Sequence, residues 1–334
     1  MKVEILEQVD EDWWNELLCK SPHANIFQTV QWADWLRYVF LAKVKYLISY
    51  DDKGEICAQG ILTSKSPYSS LWSGKTFLYP FARLGKFIYP EVNWLHGPVL
   101  HCSSDKWNVV LSNYFRTVRS LSKWGGVYSV TLPHSVANQL NTEELVGKKH
   151  SSWGTFLVDL TIPTEEIWKN LKSSARKNLR KFDSSGIEVR IVDNLDDIRE
   201  LYGELCKWTR RVDGRIYDWR YWEARFHLLN KIKAERYYVA FKNGEPIGCL
   251  GVWQYGPIAF EFGSLQSLES LREKTNCQDY IKWHIFKSEK DRGVNYFDLS
   301  GVNPLPKSNK EKNIYQYKKK WGGNYLEYTI IQSF

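Results

Sequence analysis

Two stretches of the sequence share one pattern: residues 46–62, YLISYDDKGEICAQGIL, and residues 237–253, YYVAFKNGEPIGCLGVW. Each begins with an aromatic-rich apolar run and turns at a polar K-G-E or N-G-E. Each then returns as a second run that ends in a small residue and an apolar pair. Gly54 and Gly244 can take a positive φ without steric cost, so each stretch predicts a β-hairpin. The same hairpin is therefore expected once in each half of the chain.

The segments that follow the two hairpins also agree in order. Amphipathic helices are predicted at 106–125 and 279–293, because apolar residues recur at i, i+3 and i+4 and each run stops at a glycine. Strand patterns follow at 127–133 and 295–301. Strands mixed with helices in this order predict an α+β fold in which a sheet covered by helices is present twice. A chance likeness of two common hairpins is the alternative, and the matching order of the later elements argues against it.

The length of the chain allows two domains. Its 334 residues are enough for two hydrophobic cores, and an apolar share of 43% is typical of globular proteins. The polar stretch NTEELVGKKHSSWG at 141–154 predicts a boundary near residues 150–155. We therefore predict a first domain over 1–152 and a second over 153–323.

Charge and composition narrow the class of partner and the compartment. The 46 basic and 38 acidic residues leave a net charge of +8, which favours phosphate, nucleic acid or an anionic lipid surface without choosing among them. The six cysteines form no C-x-x-C pair and the seven histidines form no H-E-x-x-H pattern, so reduced thiols and no metal site are expected. The N-terminus carries acids where a signal peptide has an apolar core, and no stretch is apolar enough to cross a bilayer. A cytoplasmic protein is predicted.

Residues 164–182, TEEIWKNLKSSARKNLRKF, predict one helix with Thr164 at its N-cap. Its apolar residues recur at three- and four-residue spacing, and a second stripe is basic. Like charges at this spacing destabilise a helix slightly, so a phosphate ligand is one explanation of the stripe and a solvated face is the other. Between 172 and 181 there are five cations and no acid: Lys172, Arg176, Lys177, Arg180 and Lys181.

Two further basic clusters lie in the second half. Residues 207–222, KWTRRVDGRIYDWRYW, place cations among aromatic rings, a composition that suits stacked or phosphate-bearing ligands. Residues 307–320 are predicted to be a lysine-rich loop that ends in Lys318–Lys320, between Tyr317 and Trp321. Three basic segments in one half of the chain favour an anion-binding groove.

With these segments in hand, the sequence resembles the Fem family of peptidoglycan bridge-forming aminoacyltransferases, most closely its short members. The resemblance covers nearly the whole chain, and its elements are weak alone but fairly specific together and in order. The matching segments are LKSSARKNLRKFDSSGIEV (171–189), T-R-R (209–211), KNGEPIGCLGV (242–252), NYFDLSGV (295–302), NIYQYKKKWGG (313–323), IFQTVQWADWL (26–36) and GPVL (97–100).

The resemblance implies a fold and an activity. The fold would be two tandem domains of the acyl-CoA N-acyltransferase (GNAT) type, with residues 324–334 packed back on the first domain. The long coiled-coil arm of larger members would be missing, since no extended charged heptad run appears. The activity would be transfer of an amino acid from aminoacyl-tRNA to an amine of a nucleotide- or lipid-linked peptidoglycan precursor, with no cofactor. Peripheral contact with a membrane is compatible with this role.

The sequence lacks the loop that binds CoA in ordinary GNAT enzymes, and this absence can be seen without reference to the Fem family. Ordinary GNAT enzymes hold the CoA pyrophosphate with a Q/R-x-x-G-x-G/A loop that opens a helix. Residues 275–283, TNCQDYIKW, stand about where that loop would lie and lack its glycines. This absence argues against simple use of acetyl-CoA.

The resemblance also implies catalytic residues. Its Phe-Lys pair falls on Tyr317 and Lys318. Lys318 would stabilise either the oxyanion formed when an amine attacks an ester or the anionic end of the donor, and Tyr317 would orient it. Because an attacking amine must be neutral, a carboxylate or the substrate itself must also accept a proton. Asp298, at the end of a predicted strand, is the best-placed carboxylate by sequence. A structural Asp that caps Ser300 or Gly301 is the more ordinary interpretation of that residue.

Residues for binding the substrates follow in the same way. Arg211, or its neighbour Arg210, matches the family's substrate-gripping arginine. In the first domain Arg37 stands beside the position of a family lysine, and His96 precedes GPV where the family often has arginine, so the acceptor pocket is expected to differ. Tyr217 joins the candidate substrate-binding residues. The candidates for tRNA or phosphate binding are Lys172, Arg176, Lys177, Arg180, Lys319 and Lys320.

Two other functions remain open from the sequence. One is an N-acyltransferase on the same doubled fold that uses an acyl thioester donor in cell-surface polysaccharide synthesis. The other is a non-catalytic protein that binds RNA or phosphate. The sequence names neither the amino acid transferred nor the acceptor, and it leaves the oligomeric state open.

Overall fold

The computed structural model describes residues 1–65, 91–121, 128–131, 150–212 and 214–332. The chain divides into two compact units, Met1–Trp153 with Glu327–Phe334, and Gly154–Leu326. Most of the predicted boundary stretch at 141–154 and part of the predicted strand at 127–133 lie outside the described residues. No helix among the described residues is both long enough and apolar enough to cross a membrane.

The first unit is a sheet with helices. Its described helices are α1 (Glu11–Cys19), α2 (Val30–Phe40) and α3 (Trp107–Leu121). Its described strands are β1 (Lys2–Leu6), β2 (Lys43–Tyr50), β3 (Ile56–Lys65), β4 (Glu91–Trp94), β5 (Val99–Leu100) and β6 (Tyr128–Thr131). The strands lie in the order β1-β2-β3-β4-β6, with β5 beside β3.

The second unit repeats the same kind of architecture. Its strands are β7 (His150–Asp159), β8 (Ile187–Val192), β9 (Glu235–Lys242), β10 (Glu245–Tyr255), β11 (Ile258–Gln266) and β12 (Tyr296–Asp298), in the order β7-β12-β11-β10-β9-β8. Its helices are α4 (Thr164–Asn170), α5 (Ser173–Leu179), α6 (Leu195–Arg211), α7 (Trp219–Asn230), α8 (Leu268–Arg272), α9 (Cys277–Asp291) and α10 (Asn309–Lys319). A last strand, β13 (Asn324–Gln332), begins in this unit and ends in the first.

The two predicted hairpins are present, and the α+β class is confirmed. Strands β2 and β3 turn at Gly54 with φ 81°, and β9 and β10 turn at Gly244 with φ 84°. The helices predicted after them are α3 and α9, and the strands predicted after those are β6 and β12. Within the described residues, neither unit contains a pair of long helices that would form a coiled-coil arm. Residues 330–332 of β13 pair antiparallel with 129–131 of β6 in the first unit.

The prediction of a single helix over 164–182 is wrong, because the helix is interrupted at Leu171 and Lys172. Leu171 is extended, with ψ 142°, and separates α4 from α5. Pro163, not Thr164, occupies the N-cap of α4. The backbone N–H of Lys172 donates to the carbonyl of Lys320 at 2.9 Å, so a long-range bond replaces the next turn of helix. This break joins the basic segment to the end of α10.

The lysine-rich loop predicted over 307–320 is also wrong, since most of it is the helix α10. Ser308 caps the helix through a capping box: its hydroxyl accepts the N–H of Glu311 at 3.2 Å, and the Glu311 carboxylate accepts the N–H of Ser308 at 2.8 Å. The S-x-x-E spacing of this box is legible in the sequence and is a recognised helix start. Lysines at the last turn suit the negative end of the helix dipole.

The C-terminal end of α10 is fixed by the core of the second unit. Trp321 is fully buried and packs edge-on against Phe286 of α9, with 5.6 Å between ring centroids. Phe286 in turn packs against Phe297 of β12. A buried aromatic side chain removes about 150–250 Å² from water, so this ring cluster anchors the helix that carries Lys318.

A substitution at Gly322, next to Trp321, tests how the end of α10 is held. Its φ is 76°, and a methyl group built on it would lie 2.4 Å from the carbonyl oxygen of Asn170. Gly322→Ala should therefore lower the free energy of unfolding by at least about 2 kcal/mol, the cost of the left-handed backbone plus the clash. Denaturant titration measures it. Gly244→Ala is the matched control, since φ is 84° there but no atom lies within 4 Å, and equal losses in the two variants would contradict the close approach at Gly322.

Candidate active site

A cavity of about 550 Å³ opens in the second unit where two parallel strands diverge. Strands β11 and β12 pair in parallel only over Ile258–Phe260 and Tyr296–Asp298. The residues that follow these pairs, together with α10, form the walls of the cavity. The lining residues are Glu261, Phe262, Gly263, Ser264, Ser300, Gly301, Asn313, Ile314, Tyr317 and Lys318.

Lys318 closes the gap between the diverging strands. Its ammonium donates to the carbonyl oxygens of Leu299, Ser300 and Gly301 at 2.5, 2.9 and 3.2 Å. The Glu261 carboxylate lies 3.3 Å from the same nitrogen. An ammonium has three N–H donors, so the segment after β12 occupies all of them.

Burial changes the acidity of this ammonium. The side chain of Lys318 is 13% exposed. Burial lowers the pKa of Lys318 from 10.5 to about 8, and the negative charge of Asp298 opposes that shift. A low dielectric around a cation also strengthens its interaction with any charge that develops in the cavity. Lys318 is thus a cation of reduced basicity that lines an open space.

Glu261 links Lys318 to a second lysine. One carboxylate oxygen of Glu261 faces Lys318, and the other forms an ion pair with the ammonium of Lys282 on α9. Lys282 is fully buried. Burial lowers the pKa of Lys282 well below its usual value, and the charges of Lys318 and Lys320 add to that effect.

The three consecutive lysines take three different directions. Successive residues of an α-helix point about 100° apart, so Lys318 turns to the cavity, Lys319 is exposed, and Lys320 turns inward. The Lys320 ammonium binds both carboxylate oxygens of Asp279, at 2.6 and 2.8 Å. The same ammonium lies 4.3 Å from the centroid of the Tyr317 ring. Lys320 therefore has a structural partner, which weakens its prediction as a phosphate-binding residue.

Tyr317 lines the cavity beside Lys318. Its hydroxyl is buried, and burial followed by the charge of Asp279 raises its pKa well above the usual value. The ring packs edge-on against Trp321, at 6.3 Å between centroids. Tyr317 and Lys318 are thus brought together, as the resemblance implies, although their roles stay predictions.

Asp298 lies behind the cavity wall. It is fully buried, and its carboxylate accepts the N–H of Ser300 at 2.6 Å and the hydroxyl of Thr155 at 2.5 Å. It does not line the cavity. These bonds match the structural interpretation, in which an aspartate at a strand end caps Ser300. The catalytic prediction for Asp298 is not supported by any contact between its carboxylate and the cavity.

Three of the predicted substrate-binding residues belong to the second unit and do not line this cavity. Arg210 and Arg211 end α6, both exposed, and Arg211 donates to the carbonyl of Gln266 at 2.8 Å. Tyr217 stacks on Tyr221 at 3.8 Å between centroids. None of the three lines the cavity.

Two further predicted residues belong to the first unit. Arg37 donates to Asp34 at 2.8 Å, to the Tyr46 hydroxyl at 3.3 Å and to the carbonyl of Glu7 at 3.2 Å. His96 stacks on Phe27 at 4.8 Å. Arg37 therefore has local structural partners, and its assignment to a substrate stays a prediction.

The basic stripe separates into exposed and structural members. Lys172, Lys177 and Arg180 are exposed. Arg176 is half-buried and donates to the carbonyls of Lys169 and Leu171 at the end of α4. The exposed members therefore suit a phosphate ligand better than Arg176 does.

The sequence analysis missed Glu261 and Lys282. Glu261 sits in the apolar strand IAFEF, and Lys282 sits on the core-facing side of α9 beside Ile281, Ile285 and Phe286. A charge at an apolar position of a strand or helix is the signal that could have found them, because such charges are almost always paired. In the described part of the chain, no group of three or more His, Cys, Asp or Glu side chains could hold a metal ion.

Comparisons with known proteins agree with this architecture. The model of the acetyltransferase (GNAT) domain matches residues 169–319. The crystal structure of FemX superposes with a TM-score of 0.71 at 13% identity, over 98% of this chain and 96% of that one. No curated protein is significantly similar to the chain in sequence.

Two other solved structures share the fold. A tandem GNAT protein from the clavulanic acid biosynthesis pathway gives a TM-score of 0.54 at 10% identity, over 99% of this chain and 98% of that one. The C-terminal domain of a putative lysylphosphatidylglycerol synthetase from Agrobacterium fabrum gives 0.53 at 12% identity, over 94% and 90%.

The class follows from these findings. Residues 169–319 form a GNAT domain, a domain of the acyltransferase class, and the chain as a whole has a tandem GNAT fold. More particularly, the fold is that of FemX, so the Fem-like resemblance predicted from the sequence is confirmed for the fold.

The capping box of α10 gives a test of how Lys318 is held. The N–H groups of Ser308 and Lys307 and the amide of Asn303 lower the pKa of Glu311 from 4.5 to about 2. Since the folded-state pKa is the lower one, the stabilisation is present above pH 4.5 and is lost as the pH falls towards 2. Glu311→Gln should therefore unfold at lower denaturant than the wild type at pH 7, with a difference that narrows below pH 4.5. Glu165→Gln, an exposed first-turn acid of α4, is the control, and a Glu311→Gln difference that does not depend on pH would contradict the box.

Proposed function

We propose that the protein transfers an aminoacyl group from aminoacyl-tRNA to an amine of a peptidoglycan precursor. The observation that carries the proposal is the placement of Lys318, a buried cation that lines a 550 Å³ cavity. The fold of FemX supports it. The name of a second neighbour, a putative lysylphosphatidylglycerol synthetase, describes an amino acid joined to an acceptor, and the proposed reaction also joins an aminoacyl group to an acceptor.

The chemistry asks for a positive charge at the carbonyl oxygen. When an amine attacks the ester of an aminoacyl-tRNA, that oxygen becomes an oxyanion, and a positioned cation lowers the barrier. Lys318 would supply the charge. Its longest carbonyl contact, 3.2 Å to Gly301, is the one that an oxyanion would replace most easily. Tyr317, on the same wall, would orient the ester.

The remaining predicted residues would hold the two substrates. The exposed cations Lys172, Lys177, Arg180 and Lys319 would bind phosphates of the tRNA. Arg211 or Arg210, with Tyr217, Arg37 and His96, would contact the acceptor. Asp298 would keep the segment after β12 in place rather than accept a proton, because its carboxylate already accepts from Ser300 and Thr155. A cytoplasmic location belongs to this proposal, since a peptidoglycan precursor and charged tRNA meet there.

A second candidate is an N-acyltransferase with an acyl thioester donor, favoured by the match to the acetyltransferase model. The start of α9 argues against it. That helix begins after Asn276, and its first turn carries Asp279, whose carboxylate binds Lys320. A CoA pyrophosphate at this helix N-terminus would approach the Asp279 carboxylate as well as the first N–H groups of the helix. Filter binding of charged and uncharged tRNA, beside calorimetry with acetyl-CoA, separates the candidates, and tight tRNA binding without turnover would favour a non-catalytic RNA-binding protein.

Lys318→Met tests the proposal. Removing the cation should lower the transfer rate by roughly 10²–10³-fold, the typical cost of losing one oxyanion-stabilising group. The assay follows radiolabelled amino acids from charged total tRNA onto a nucleotide-linked precursor peptide. Lys312→Met, an exposed lysine on the same helix, is the control and should transfer at the wild-type rate. Near-normal transfer by a folded Lys318→Met protein would sink the assignment.

A further inference from the structure

The fully buried Lys282 is not explained by the capping and packing contacts described above. Lys282 lies in the middle of α9 with no exposed surface. Taking a charged ammonium and a carboxylate out of water costs several kcal/mol for each ion. A core position of this kind is usually occupied by an apolar residue, as at the neighbouring Ile281 and Ile285.

The partner of Lys282 is part of the cavity. Glu261 lines the cavity, and its carboxylate stands between two amines. One oxygen lies 3.3 Å from the Lys318 nitrogen at the cavity wall. The other is in contact with the nitrogen of Lys282, behind the wall. A continuous row of proton-exchanging groups therefore leads from the open cavity into the core.

We propose that Glu261 accepts the proton of the attacking amine and that Lys282, behind it, holds this proton until the leaving oxygen takes it back. This inference rests on the proposed function. Glu261 would be a catalytic residue, since it lines the cavity that would hold the reacting groups, and Lys282 would be a positioning residue that acts through Glu261. Lys318 keeps its charge for the oxyanion.

The step balances. The nitrogen of the acceptor forms a bond to the ester carbonyl carbon and becomes positive, and the carbonyl oxygen becomes negative beside Lys318. The proton on nitrogen passes to Glu261, and the neutral amine of Lys282 takes a proton from that carboxyl group. The ester C–O bond then breaks, and the ribose oxygen leaves with the proton returned through Glu261. The products are an amide and a free ribose hydroxyl, and the cluster is restored.

Two opposing effects act on Lys282: burial favours its neutral amine, whereas the Glu261 carboxylate in contact with it favours the ammonium. Lys318 of α10 and Lys320 just beyond it face Lys282 and, after burial, lower its pKa. The Phe297 ring of β12 lies 5.7 Å from its nitrogen, near the outer limit of a cation–π contact. A buried amine next to other cations is a known way to make lysine a base at neutral pH.

The acidic and basic side chains on the neighbouring elements have other hydrogen-bond or ion-pair partners. Arg236 of β9 is paired with Glu289 of α9. Asn178 of α5 donates to Asp279, which also binds Lys320. Asp298 of β12 is bonded to Ser300 and Thr155 and acts on the pKa of Lys318. Glu261 is left as the carboxylate that reaches both the cavity and Lys282.

The first experiment measures the proton itself and needs no turnover. Protein labelled with ¹³Cε-lysine is titrated by NMR, and the Lys282 signal is the one missing from Lys282→Met. We expect it to titrate below the main group of lysine signals, and Glu261→Gln to move it lower still, because the counter-charge is gone. A Lys282 signal that titrates with the other lysines, or above them, overturns the proposal.

The second experiment follows transfer against pH. Glu261→Gln should lower kcat by roughly 100-fold with little change in KM, the usual size of a lost general base, and Glu261→Asp should recover part of it. Lys282→Met should lose about tenfold and shift the acid limb of the profile to lower pH, because the bare carboxylate then accepts the proton.

The control is a lysine on the same helix with a purely structural role. Lys290 donates to the carbonyls of Leu160 and Ile162 at 2.7 and 2.8 Å, so Lys290→Met should lose stability without a shift of the acid limb. Equal pH profiles for Lys282→Met and Lys290→Met, or full activity of Glu261→Gln, would overturn this step while the proposed function stands. Absence of transfer by the wild type overturns the proposed function and this step together.

Discussion

The second unit depends on how one ammonium satisfies the backbone where two strands part. Strands β11 and β12 pair in parallel for three residues each and then separate. Beyond that point Lys318 of α10 donates to the carbonyls of Leu299, Ser300 and Gly301, and the Ser300 carbonyl also accepts from the Thr155 hydroxyl of β7. Carbonyls withdrawn from water without a donor are costly, so the cation stabilises this segment at the place where the fold leaves an open cavity. The side chain of Lys318 therefore has both a structural role and a role in the proposed chemistry.

The helix α9, behind the wall of this cavity, carries three buried charges, and each has a partner from another element. On α9, Asp279 binds Lys320, Lys282 binds Glu261 and Glu289 binds Arg236. Such pairs contribute little net stability, because desolvation offsets the attraction, but an unpaired member would be strongly destabilising. Of the three pairs, the one that contains Glu261 also reaches the cavity. This is why that pair, and not the other two, suits a chemical role.

The sequence carries enough local information to predict the architecture but not the polar network. The two hairpins and the helices α3 and α9 follow from turn glycines and apolar spacing, which are local signals, and Lys318 was found through a family resemblance. The break at Leu171 could not be read locally, because a bond from Lys172 to Lys320, far along the chain, stabilises it. The helix α10 was legible from Ser308 and Glu311 and was overlooked because lysines dominate the segment. Glu261 and Lys282 acquire meaning only as a pair, and their contact is long-range.

The central claim is that the cavity beside Lys318 receives the reacting ester. A crystal structure with a non-hydrolysable aminoacyl-adenosine, in which an amide replaces the ester, tests this most directly. The account predicts that the carbonyl oxygen of the ligand lies within hydrogen-bonding distance of the Lys318 ammonium, inside the space bounded by Glu261, Ser300 and Tyr317. A ligand bound with its carbonyl away from this cavity, with the Lys318 contacts to the three backbone carbonyls and Glu261 unaltered, would contradict it.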